Sequence, residues 1–100
     1  MKKIVTVRDP LGKPIPGLLI RKLRLKGFEK CNLALVEVGR QTTVTELSTG
    51  AQFAWELTVM PNAGEEAIRI AKEKLHRHGI ELFQAAVQKT IDRFGEVLNA

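Results

Sequence analysis

Lys22, Arg24 and Lys26 recur at every second position, with Leu19, Leu23 and Leu25 on the opposite parity, and Arg21 and Lys30 extend the cationic run. In an extended chain this period places the leucines on one face and the cations on the other, about 7 Å apart. That is near the phosphate spacing of a single nucleic-acid strand. Such a row could neutralise several phosphates, with an affinity that falls steeply with salt. Arg21, Lys22, Arg24, Lys26 and Lys30 are therefore the candidate polyanion-binding residues. Phe28 joins them as the aromatic that falls outside expected core positions and on which a base could stack. The competing reading is a solvated strand face, or an edge strand guarded by lysines, with Phe28 anchoring a loop in the core.

The charge distribution favours a localised surface over a generally basic protein. Nine of the sixteen basic residues lie in the first thirty positions against Asp9 and Glu29, while the remaining seventy residues are net negative by two. Localised charge can dock a polyanion; scattered charge chiefly aids solubility.

Other residue types capable of chemistry do not assemble into a motif. His76 and His78 stand two apart, roughly 200° around a helix, and cannot converge on one metal ion. Cys31 has Lys30 beside it but no histidine partner, and Ser48-Thr49-Gly50 has too few glycines for a phosphate loop and reads as a turn. Glu37, Glu46 and Glu56 fall one per expected strand. Clustered carboxylates could hold a metal or transfer protons, but ion pairs with Lys22, Arg24 and Arg40 are the preferred expectation. No catalytic, metal-binding or cofactor residue is assigned, and no enzyme activity is expected.

The elements that must position these residues follow from periodicity. Residues 4–7 are β-prone and end at Asp9-Pro10-Leu11-Gly12, a turn. Pro14 and Pro16 keep residues 13–16 extended, and a strand with one cationic face follows over about 19–26. Residues 33–38, 42–48 and 52–59 read as a three-strand meander, with a hairpin loop ending at Gly50 before the last strand. In that last strand Phe53, Trp55, Leu57 and Val59 share an apolar face. Asn62 and Glu65 hold the spacing of a helix cap, and a helix carrying Ala67, Ile68, Ala71 and Leu75 should end at Gly79. A second helix over about 80–98 should bury Phe83, Ala86, Val87, Ile91, Phe94 and Leu98, with Gly95 weakening its last turn.

The expected architecture is a single α+β domain over residues 1–100. An antiparallel four- to five-stranded sheet precedes two C-terminal amphipathic helices packed on one face. The β-β-β-α order of residues 33–78 is also that of the latter part of double-stranded RNA-binding domains. The resemblance stops at topology, because this helix opens Gly64-Glu65-Glu66-Ala67, acidic where those domains are basic. One cysteine excludes an internal disulfide, and no apolar run approaches the roughly 20 residues of a membrane helix. The chain therefore reads as a cytoplasmic, non-enzymatic interaction or accessory protein that contacts a protein partner or itself, as a homodimer. Its alternative is a non-specific nucleic-acid binder using the basic strand. No cofactor, membrane or small-molecule substrate is expected.

Overall fold

A computed structural model describes residues 3–97. Five strands, β1 (Lys3–Arg8), β2 (Pro14–Leu23), β3 (Leu33–Val38), β4 (Gln41–Glu46) and β5 (Ala51–Leu57), are followed by one helical element, α1 (Ala63–Phe94). Neighbouring strands pair antiparallel in sequence order, and β1 meets β5 to close a barrel. This is the expected antiparallel sheet with five strands, and its closure goes beyond what periodicity indicates. A meander with an odd number of strands can close only by bringing its first and last strands together in parallel, and that contact is short. It consists of the Arg8–Ala51 pair, with Arg8 N–H donating to Gly50 O (2.8 Å) and Gln52 Nε2 donating to Arg8 O (3.0 Å). Gly50 is needed at the seam: its φ is 74°, and a Cβ there would lie 2.9 Å from Arg8 N.

Two apolar layers fill the fold. Inside the barrel, Val5, Val7, Ala34, Val36 and Leu47 pack together. Thr43 and Thr45, registered opposite Val36 and Ala34, are fully buried with them. Thr43 Oγ1 donates to Val36 O (3.3 Å), and the two threonine hydroxyls lie 2.8 Å apart, so neither is left without a partner. Outside the barrel, Leu33, Leu35, Val44 and Ala54 receive Ala67, Ala71 and Leu75 of α1. The small side chains on α1 let it lie close, and a Cβ at Gly64 would already be 3.0 Å from Leu35 Cδ2.

Several sequence expectations change at this level. The two expected helices form one element, broken at Gly79, whose φ of 80° and ψ of 162° are accessible only to glycine. Only the part before Gly79 packs closely on the sheet. Beyond it Phe83, Val87 and Ile91 are half-buried, Ala86 and Phe94 are exposed, and Leu98 lies outside the described residues. Asn62 does start α1, but with left-handed backbone and no side-chain cap bond. Gly95 ends the helix instead of lying within it.

The first half of β2 contains both prolines and pairs with β1, and the strand stops at Leu23, so Arg24 and Lys26 lie in the loop beyond. A bulge between Val44 and Thr45 leaves Phe53 without a cross-strand partner and turns Ala54 into the helix-facing core. Trp55, Leu57 and Val59, expected to be buried, are exposed.

Candidate functional site

The loop after β2 is fixed by its apolar residues. Leu25 and Phe28 are buried, Phe28 N–H donates to Leu25 O (2.8 Å), and Cys31 N–H donates to Phe28 O (3.0 Å). The Phe28 ring is 5% exposed and sits 5.9 Å from the His76 ring and 6.3 Å, edge-on, from Phe83. Phe28 is therefore the core anchor of the competing expectation and not a stacking platform: its ring packs against His76 and Phe83 of α1. Arg21, Lys22, Arg24, Lys26 and Lys30 all point to solvent. Among the described residues the ion pairs are Arg69 with Glu66 and Arg69 with Glu73, so none of these five cations is paired.

The expected carboxylate pairing is likewise replaced. Glu46 is buried and accepts hydrogen bonds from both the backbone N–H and the hydroxyl of Ser48 and of Thr49, at 2.7–3.2 Å. It closes the turn between β4 and β5 and needs no cation. Glu56 accepts from Leu57 N–H (2.7 Å). The thiol of Cys31 is held above its ordinary pKa, first by burial and then by the nearby Glu46 carboxylate. That is the reverse of nucleophile activation. No group of three or more metal-ligating side chains converges among the described residues.

Sequence reasoning missed a second surface. Trp55, Leu57, Val59 and Met60 are 51%, 43%, 84% and 48% exposed, and they follow one another along β5 and the turn after it. Trp55 is registered opposite Thr43 and Leu57 opposite Gln41, so both lie on the barrel's inner parity. They remain uncovered because β1 pairs with β5 only at Ala51, and among the described residues no other strand lies along the edge of β5 opposite β4. Two polar groups along β5 are already satisfied: Lys74 Nζ donates to Phe53 O (2.7 Å), and Leu57 N–H is held by Glu56. Beside the strip, Trp55 and Phe94 flank a cleft of about 520 Å³ reached by Arg8, Gln41 and Gln52. The period-two pattern signals an apolar face equally well for a core and for an interface, so periodicity alone could not separate them.

The arrangement presents two surfaces to solvent, one cationic along and after β2 and one apolar along β5. No helix among the described residues is long and apolar enough to cross a membrane. Comparison with protein-family models, with characterised proteins and with solved structures finds no match.

Proposed function

We propose that this chain is a non-enzymatic interaction module of the cytoplasm that associates with a second copy of itself through β5. The observation that carries this reading is the uncovered Trp55, Leu57, Val59 and Met60 strip on a strand that pairs with β4 along one edge but, among the described residues, meets a strand on its other edge only at Ala51. Contiguous exposed apolar surface of this kind marks an association face. Contact runs through side chains and not through strand addition, because Lys74 and Glu56 already occupy polar groups of β5. A two-fold contact sets the strip against its own copy, which matches apolar surface with apolar surface. Burying the exposed parts of Trp55 and Leu57 supplies about 2 kcal/mol each on each copy.

Light scattering across micromolar concentrations tests this. The native chain is expected at dimer mass, and Trp55→Ser with Leu57→Ser at monomer mass with unchanged circular dichroism. A native chain that stays monomeric overturns the reading.

A second reading, non-specific nucleic-acid binding, is supported by the five exposed cations that have no acidic partner among the described residues. It predicts binding of labelled mixed-sequence DNA or RNA that weakens with salt. It also predicts that neutralising Lys22, Arg24 and Lys26 lowers the log–log salt slope by about 2 to 3. Anisotropy titration measures both, and the absence of binding at low salt removes this reading.

A further inference from the structure

α1 breaks direction at Gly79, and a cavity of about 400 Å³ lies between its second half and the start of β5. Its walls are Phe53, Leu75, Leu82, Phe83, Ala86 and Val87. An apolar cavity of about 150 Å³ holds one benzene, so this one accommodates a chain of about eight to ten carbons. Its volume also lies within the range of ordinary small-molecule pockets.

The polar residues at its border give the occupant a sign. Lys74 and His78 both line it, and Lys74 spends one N–H on Phe53 O, leaving two ammonium protons. The carboxylate that lines it, Glu46, already has its oxygens filled by Ser48 and Thr49. Its lone pairs are thus turned to the donors of its own turn, whereas the remaining donors of Lys74 and His78 are open to a ligand anion. We infer that this cavity binds a small anionic amphiphile of the medium-chain fatty-acid class, with the alkyl chain against Phe53, Phe83 and Val87 and the carboxylate at Lys74 and His78. The site is separate from the β5 strip and stands whether or not the chain dimerises.

Isothermal titration of the full chain with decanoate, decanol and decyltrimethylammonium tests the assignment. Decanoate is expected to saturate one site per chain and to bind about tenfold more tightly than decanol, the gain of an exposed charge contact with Lys74 and a hydrogen bond from His78. The ammonium amphiphile is expected to bind more weakly than decanol. Lys74→Gln combined with His78→Gln should reduce decanoate to the affinity of decanol while leaving decanol unchanged. Ala86→Phe, which fills the cavity, should abolish binding of both, with thermal melting showing that the variant remains folded. Failure of decanoate to saturate by about 1 mM overturns the proposal. So does equal affinity in the Lys74 and His78 variant, preference for the ammonium amphiphile, or unaltered binding in folded Ala86→Phe.

Discussion

Glu46 illustrates how a residue that looks available for chemistry can be wholly committed to structure. Its carboxylate is buried, and the donors around it belong to the turn it closes. Charge-assisted bonds of this kind are the stronger ones, and removing the acceptor leaves buried N–H and O–H groups without partners. Glu46→Ala is expected to lower the unfolding free energy by about 2–3 kcal/mol in urea titration. The same carboxylate bears on Cys31, although less than burial does. Because the thiol pKa is raised, the thiolate fraction at any given pH is below that of a free thiol. Iodoacetamide should therefore alkylate Cys31 slowly, with a pH midpoint above that of glutathione. Glu46→Gln should move that midpoint down only in part, since desolvation remains.

At the level of elements, α1 divides at Gly79 into a packed half and a loosely covered half. The backbone there lies in a region closed to residues with a Cβ, so Gly79→Ala must strain the turn or straighten the helix. A loss of about 1–3 kcal/mol is expected on thermal or urea unfolding. The packed half also carries an exposed charge cluster in which Arg69 donates to both Glu66 and Glu73. The hydrogen bond from Arg69 chiefly, with its positive charge, lowers the pKa of Glu66. A lowered carboxyl pKa contributes stability that is complete above the ordinary glutamate range and is lost as pH falls through the folded value. Both partners are exposed to solvent, so the effect is small. Acid titration followed by circular dichroism should show a weak loss of helix stability in that window, absent in Arg69→Gln.

For the molecule as a whole, Arg8 joins the parts that the chain order leaves separate. Its backbone makes the barrel seam with Gly50 and Gln52. Its guanidinium donates to Gly12 O (2.8 Å) and Phe94 O (3.0 Å) and lies 5.4 Å from the centre of the Phe94 ring. A cation at a helix C-terminus is favourable with the helix dipole as well as with the free carbonyls. Val97 N–H then donates to Ser48 O (2.9 Å), returning the chain to the turn that Glu46 holds. Arg8→Met should cost about 2 kcal/mol. Hydrogen exchange should quicken over residues 80–95 more than over 63–78, because the clamp acts only on the second half. Equal acceleration in both halves would mean that Arg8 acts through the seam alone.

The sequence by itself determined the local elements: the extended Pro14–Pro16 stretch, the strand at 33–38, the turn ending at Gly50 and the helix break at Gly79. Each is dictated by backbone sterics or by a period read over a few residues. It also determined that Lys22, Arg24 and Lys26 face outward, because Leu23 and Leu25 between them must be buried. Only the tertiary structure decided which apolar faces are covered. Strand closure depends on the pairing of Arg8 with Ala51, residues far apart in the chain, and the Phe53 bulge depends on β4. Those long-range pairings turn Ala54 into the core and leave Trp55 and Leu57 exposed, although the sequence placed Trp55 on a core face. Alternation records that a face is apolar; what covers it is fixed by the rest of the chain.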